Sequence, residues 1–275
     1  PTALIAAAAL LLSAPAFAQK SKDTLRIAAN DQYSVLSPHD LPLDEAAPFY
    51  NQIYSPLMVV DEANGKFIPE LAKSWKHINE TTIEFDLRDD ITLHSGKKFN
   101  ADDIIAMIEY TIDPAVKIRS KNRYTWVKNV EKLGPYKFRA HLTKPYALDL
   151  FAFTYRFVAE DSDILKKLDN KADYGRVSAA SAGPFKMVSY DRNAGFALER
   201  FDGLKFSHRR APIKHIKIVP VTDDQTQIAQ LLTGGIDVVR NVSENNAKEL
   251  SKQPNVEVTP TKSSQYTYVM MDAIA

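Results

Sequence analysis

The chain contains no cysteine among its 275 residues. Disulfide bonds, thiolate metal sites and cysteine nucleophiles are therefore excluded. It also lacks an excess of either charge, because 35 basic side chains are balanced by 34 acidic ones and the net charge is +1. This balance gives no reason to expect nucleic acid or an acidic membrane surface as a partner.

Motifs of the common enzyme classes are missing as well. The sequence has no G-x-S-x-G, H-E-x-x-H, phosphate-binding loop or dinucleotide fingerprint. Its acidic pairs, Asp89-Asp90 and Asp223-Asp224, are typical of turns and helix caps. The histidines lack the spacing of metal ligands and are scattered, for example at His39, His77, His141, His208 and His215. We therefore expect a protein that is not an enzyme and that holds no cofactor and no metal.

An uncharged segment opens the chain. Residues 3–12 form an apolar run that is too short for a bilayer core of about 30 Å. The following Ala16-Phe17-Ala18 has the A-x-A pattern of a signal-peptidase site. We interpret residues 1–18 as a signal peptide and expect a periplasmic protein; a buried alanine-rich helix is the alternative. A signal peptide begins with Met and basic residues, so we expect that this sequence starts late.

Apolar residues recur with the period of strands in several segments. Residues 24–29 predict a short buried strand, and residues 185–200 predict a hairpin. Residues 81–88 and 136–142 alternate between apolar and polar side chains, with Glu84 on the polar face. These patterns predict half-buried strands that each keep one face in solvent.

The stretch LHSGKKFNADD combines residue types that could build a phosphate or metal site. Its spacing favours a simpler interpretation, because Asn100 is a good N-cap and Asp103 stands where a capping box places its acid. Gly96 belongs to a tight turn, and Lys97 and Lys98 are expected in solvent. The stretch therefore predicts a turn and a capped helix rather than a site of chemistry.

The last third of the chain predicts a parallel crossover. A strand at 216–220 is followed by a helix with apolar Ile228, Leu231 and Leu232, and then by a strand at 236–239. Strand, helix and strand within so few residues imply a parallel pair in a covered α/β sheet. Further elements are predicted as a helix at 245–252 and strands at 256–260 and 266–272.

Four blocks in a fixed order resemble a known family. They contain YSPLMVVD, then LAKSW with IEFDLRDDITLHSG and a helix, then SAGPFKMV with its hairpin, and finally TGGIDVV. This succession is similar to bacterial extracellular solute-binding protein family five, the periplasmic receptors of peptide, nickel and opine ABC importers. The resemblance implies a periplasmic-binding-protein-like fold of type II, cluster C, with an extra small domain inserted in the first lobe. Departures from the family pattern occur at Ser95, Ser181 and Ala182.

The resemblance also implies a domain layout. We expect residues 19–50 and 176–275 to form an incomplete first lobe and residues 51–175 to form the inserted small α+β domain. Family members are about twice as long, so the second lobe is expected to be absent. Since such receptors bind by closing two lobes over a solute, we expect little affinity from this chain alone.

Candidate ligand-binding residues come from two sources. Asp31, Gln32 and Tyr33 follow the first strand, where open α/β sheets bind ligands; a polar surface loop is the alternative. Arg156 in YRFVA resembles an arginine that faces a carboxylate-bearing ligand in the nickel-receptor branch, and a surface arginine is its alternative. The resemblance adds Tyr124 and Trp126 as cleft aromatics, which compete with a core role, and Tyr266 and Tyr268 in a hinge strand.

The function implied by the resemblance is solute binding for an ABC importer. The expected partners are a small solute, which is a peptide, an opine or a metal chelate, and an inner-membrane ABC permease if the protein is complete. We expect a monomer that binds no nucleic acid. The alternative is a periplasmic chaperone-like or sensory peptide-binding protein that is not coupled to transport.

Overall fold

The computed structural model describes residues 23–30, 39, 50–61, 63–118, 120–168, 180–191, 193–205 and 207–260. The strands of these ranges are β1 (Thr24–Ala29), β2 (Met58–Val60), β3 (Phe67–Pro69), β4 (Ala72–Asn79), β5 (Thr82–Leu87), β6 (Val127–Gly134), β7 (Lys137–Leu142), β8 (Phe185–Asp191), β9 (Gly195–Arg200) and β10 (His215–Pro220). The helices are α1 (Ala101–Ile112), α2 (Asp149–Phe153), α3 (Ser162–Lys166), α4 (Asp224–Leu232) and α5 (Glu244–Leu250). Within the described ranges, no helix has the length and apolar character needed to cross a membrane.

Three of the sequence predictions fall outside these residues. The signal peptide assigned to residues 1–18 lies outside them, as does the domain boundary near residue 175. The strand predicted at 266–272 is also outside the described part of the chain. These three assignments stay predictions.

The first sheet joins segments that are far apart in the sequence. Its strand order is β1-β10-β9-β8, with β1 parallel to β10 and the other neighbours antiparallel. On its other side β1 meets a further parallel segment, through a bridge between Ile27 and Val238. The adjoining Asp237 carboxylate accepts bonds of 2.9 and 3.0 Å from the N and Nε atoms of Arg26. The predicted parallel crossover through α4 is therefore confirmed, but residues 236–239 form a single bridge to β1 and not the predicted strand.

The second sheet is antiparallel throughout, with the order β4-β5-β7-β6. Its apolar face includes Phe85 and Phe138, whose rings stack with centroids 5.0 Å apart. Helix α1 packs against β6 and β7 and adds the buried Ile104 and Ile108 to this core. Close packing of these side chains removes a large apolar area from water, which is the main source of stability for such a layer.

The predicted solvent face of β5 is corrected by the structure. Glu84 is only 4% exposed, because the side chains of three cations cover it. Its carboxylate lies 3.1 Å from Lys137, 2.8 Å from Arg139 and 3.3 Å from Lys76. The hydrogen bonds from Lys137 and Arg139 lower the pKa of Glu84 to about 2. The strand is buried on both faces there because aliphatic stems of long basic side chains lie over the polar one.

The corner between β5 and α1 has the predicted cap. Asn100 accepts a bond from the Asp102 backbone N–H, and Asp103 accepts one from the Asn100 backbone N–H, which completes a capping box. Gly96 has φ of +86°, as a tight turn there requires.

The prediction that Lys97 lies in solvent is wrong. Its ammonium contacts Asp103 at 2.7 Å and Asp161 at 3.1 Å, and it donates to Ser162 Oγ at 2.9 Å. Burial alone would lower the pKa of Lys97, but the bonds to the two carboxylates outweigh it and raise the pKa above its ordinary value. The lysine is drawn inward because Asp103 is completely buried and needs a cation beside it.

Two further details differ from the predictions in the last third. In α4, Leu232 is 49% exposed, whereas Gln227 is 1% exposed and donates its Nε2 to the Val221 carbonyl at 2.5 Å. The bond to the end of β10 fixes which face of the helix turns inward. Residues 256–260 form no strand, because they pair with no strand among the described residues and lack the ladder of hydrogen bonds that holds one.

Candidate functional site

Three parallel segments of the first sheet end side by side. At the end of β1, the Ala29 carbonyl accepts a 2.8 Å bond from the Val221 N–H, just past β10. On the other side, the Ala28 N–H donates to the Val238 carbonyl at 3.0 Å. β1 therefore lies between two parallel neighbours that the chain reaches by separate connections. In open α/β sheets, this arrangement creates a crevice at the carboxyl ends of the strands, where ligands bind.

Two residues between β1 and β2 contact the part of the chain that contains the other predicted site residues. His39 Nδ1 lies 2.9 Å from the Tyr124 hydroxyl. Tyr50, which shares an apolar core with Ala29, donates its hydroxyl proton to the Tyr155 carbonyl. These two contacts tie the loop around Tyr124 to His39, and the segment after α2 to Tyr50.

Burial distinguishes the two predicted aromatics. Tyr124 is only 7% exposed and packs edge-on against Phe157, with ring centroids 5.7 Å apart. Trp126 is half-buried, and its ring lies 5.4 Å from that of Phe153 and 4.9 Å from that of Tyr146. Tyr124 therefore belongs to the apolar core and Trp126 borders it, which agrees with the core role given above as the alternative. The partly exposed indole of Trp126 is the one with surface left for a ligand.

Arg156 adjoins Trp126 through a shared acceptor. The Arg123 carbonyl accepts from Arg156 Nη1 at 2.6 Å and from Trp126 Nε1 at 2.9 Å. Arg156 Nε also donates to the Tyr155 hydroxyl at 3.0 Å, and its Cζ lies 5.2 Å from the centroid of that ring. These contacts hold the half-buried guanidinium in one orientation. Among the described residues Nη2 has no hydrogen-bond partner, so it is free to donate to an anionic group.

The other predicted site residues lie outside the described residues. These are Asp31, Gln32, Tyr33, Tyr266 and Tyr268. The described part of the chain also holds no group of three or more His, Asp or Glu side chains arranged to bind a metal ion.

Sequence reasoning missed residues at the same edge of the sheet. Arg240 and Asn241 follow the parallel segment that contains Val238, and Asn241 has a left-handed backbone with φ of +57°. They line a small cavity of about 10 Å³ together with Asp224 and Gln227. The sequence could have predicted them. Ligands bind where parallel strands end, and this holds for the residues after TGGIDVV as it does for the residues after β1.

Burial also sets the charge of the imidazole beside Tyr124. Desolvation lowers the pKa of His39 to about 3, so the ring is neutral at physiological pH. The neutral imidazole of His39 and the phenol of Tyr124 therefore form a polar pair that carries no charge.

Comparison with known proteins gives a consistent match. The family model described as bacterial extracellular solute-binding proteins, family 5 middle, matches residues 66–273. The peptide transport periplasmic protein SapA of Salmonella typhimurium is 26% identical over 76% of this chain and 41% of its own length. The glutathione-binding protein GsiB of Escherichia coli K12 is 23% identical over 96% of this chain and 51% of its own length.

A solved structure matches the fold. The periplasmic binding protein AgaA of A. tumefaciens R10, in complex with agropinic acid, superposes with a TM-score of 0.75 at 22% identity, over 84% of this chain and 46% of that one. The expected α/β fold of cluster C periplasmic binding proteins is thereby confirmed. The chain spans about half the length of the curated relatives it matches.

Proposed function

Since the chain belongs to the bacterial extracellular solute-binding proteins of family 5, we propose that the whole protein is the periplasmic solute-binding component of an ABC importer. Its solute is a peptide or a related small molecule, such as an opine or a metal chelate. The family is one of binding proteins, and the site needs no reacting group to serve this role. The predicted signal peptide supports the periplasmic location.

One observation carries the proposal for the site. The carboxyl ends of three parallel segments meet, and Trp126 and Arg156 are held together on the Arg123 carbonyl; we place this pair beside the strand ends, as one wall of the site. An aromatic face offers apolar contact, and a guanidinium offers paired donors to a carboxylate. Peptides and opines have both kinds of group. We place the solute against this wall, with Asp31, Gln32, Tyr33 and Tyr124 beside it and Tyr266 and Tyr268 at the hinge.

The proposal is tested on the protein produced from its own gene and recovered by cell fractionation. We expect it in the periplasmic fraction, as a monomer that binds one solute class with one-to-one stoichiometry in isothermal titration. The panel contains dipeptides, glutathione, an opine and nickel-histidine. A cytoplasmic protein that gives no binding heat with any of these solutes would refute the proposal.

Replacing Arg156 by alanine is expected to weaken binding of a carboxylate-bearing solute by roughly 10- to 100-fold, because a hydrogen bond to a charged group contributes about 1.5–3 kcal/mol. Arg156→Lys retains the charge without the fork, so we expect an intermediate loss. Arg88→Ala is the matched control, since Arg88 is already paired with Asp90 at 2.6 Å. Unchanged affinity in Arg156→Ala, measured by titration, would remove Arg156 from the site.

A further inference from the structure

His94 connects the two four-stranded sheets, β1-β10-β9-β8 and β4-β5-β7-β6. It lies in the turn before α1, on the side of the second sheet, whereas Gly183 stands directly before β8 of the first sheet. His94 Nε2 lies 3.0 Å from the Gly183 carbonyl, and the His94 backbone N–H donates to the Ser181 carbonyl at 2.7 Å. The imidazole and the backbone of one residue therefore hold both ends of segment 181–183.

The environment of the ring requires a neutral imidazole. Because Nε2 faces a carbonyl, it must carry the proton, and Nδ1 is then an unprotonated acceptor. Nδ1 is buried and has no hydrogen-bond partner in the described part of the chain. The ring edge packs on Phe201, with centroids 4.9 Å apart. A proton on Nδ1 would place a positive charge where nothing described can accept its hydrogen bond.

The charged groups around the ring oppose a second proton as well. Lys186 on β8 and Arg209 in the 3-10 turn Ser207–Arg209 both act on His94 as positive charges. Arg209 is paired with Glu70, and Lys97, in the same turn as His94, is paired with Asp103 and Asp161. Burial, with a smaller contribution from Lys186 and Arg209, lowers the pKa of His94 to about 4 despite the bond to Gly183.

We propose that His94 is an acid-sensitive latch between the two sheets, and that protonation of Nδ1 releases segment 181–183 from the turn around His94 while each sheet stays folded. The latch is His94 with segment 181–183. In the released state the imidazole is in water and can form the hydrogen bonds that the cation requires. This inference concerns the coupling of the two layers and does not depend on the identity of the solute.

The direction of the pH effect follows from the two pKa values. A released imidazole takes up its proton near the ordinary value of 6.5, whereas the latched one does so only near 4. Lowering the pH through this window therefore favours the released state. Between pH 7 and pH 5 the released-to-latched ratio is expected to rise roughly 20-fold.

The test is hydrogen exchange followed by NMR at pH 7 and pH 5, corrected for the intrinsic exchange rate. The reporter is the amide of His94, which donates to the Ser181 carbonyl within the latch. At pH 5 we expect it to lose roughly 20-fold of its protection, while amides of β5 and β7 lose less than about 2-fold. Equal loss at His94 and in both strands would overturn the proposal, because it would indicate unfolding of the whole protein.

His94→Gln is the matched variant, since its Nε2 can donate to the Gly183 carbonyl but cannot titrate. We expect it to abolish the extra loss at pH 5; a loss equal to that of the unmodified protein would contradict the latch. If the variant does not fold, the His94 imidazole is titrated directly by NMR in the unmodified protein. A titration near 6.5 with unchanged protection of the His94 amide would also contradict it.

Discussion

Replacing Arg209 by methionine is expected to lower the free energy of unfolding by roughly 3–5 kcal/mol, the usual cost of leaving one member of a buried ion pair without its partner. Glu70 is completely buried, and its two carboxylate oxygens accept from Arg209 Nη1 at 3.1 and 2.8 Å. Methionine has a similar length and can fill the space of the aliphatic stem. The loss is therefore that of the guanidinium and its hydrogen bonds.

The same guanidinium also satisfies polar groups in the segment that precedes β2. It donates to the carbonyls of Tyr54, at 3.0 Å, and Asn51, and to Ser55 Oγ at 3.2 Å. After the substitution, Glu70 retains His208 Nε2 at 3.2 Å as a partner among the described residues. One imidazole does not replace five hydrogen bonds, so we expect most of the loss to remain even when His208 is protonated.

The control is Arg88→Met. Arg88 pairs with an Asp90 side chain that is 51% exposed, and exposed pairs contribute at most about 1 kcal/mol. Urea denaturation of both variants measures the difference in their free energies of unfolding. The dependence of this free energy on urea concentration is compared with that of the unmodified protein. Adding Glu70→Gln to Arg209→Met removes the stranded charge and should restore part of the stability. An Arg209→Met variant as stable as Arg88→Met would contradict the buried pair.

The elements that the sequence predicts well are those decided within a few residues. The capping box at Asn100 and Asp103 depends on groups three positions apart, and the strand at 24–29 depends on its own run of side chains. Periodicity likewise predicts the hairpin of β8 and β9. In each case the deciding contact is local, so the pattern alone carries enough information.

The predictions that fail involve partners distant in the chain. Lys97 is held in part by Asp161, which lies 64 positions further on. A lysine after a turn is usually solvated, and the packing of α3 against the corner of α1 adds Asp161 and Ser162 to Asp103 as partners that hold this one partly buried. Glu84 illustrates the same limit, because its covering side chains come from two other strands.

The candidate site, too, can be predicted only in part from the sequence. Its edge of the sheet can be predicted, because parallel strands are recognisable and ligands favour their carboxyl ends. The link between Trp126 and Arg156 cannot, since it passes through the backbone carbonyl of Arg123, a group that every residue has. The roles of Tyr50 and Tyr155 are hidden for the same reason.

Replacing Gly183 by alanine is expected to destabilise the protein by about 3 kcal/mol or more, as overpacking of a rigid contact does. A Cβ on Gly183 would lie 2.5 Å from the carbonyl carbon and oxygen of Ile53 and 2.6 Å from the Gln52 oxygen. All three atoms belong to the backbone, so no side-chain rotation relieves the clash. For a protein of this size the melting temperature should fall by about 6–12 °C.

Gly134→Ala is the matched control, because a Cβ there meets no atom within 4 Å. We expect it to be neutral or to stabilise by up to about 1 kcal/mol through the unfolded chain. The backbone shift forced at Gly183 must also strain its N–H bond to Ile53, at 2.9 Å, and the contact of its carbonyl with His94. Calorimetric melting that places the two variants within 2 °C of each other would show that segment 181–183 is not packed as tightly against Ile53 as these distances require.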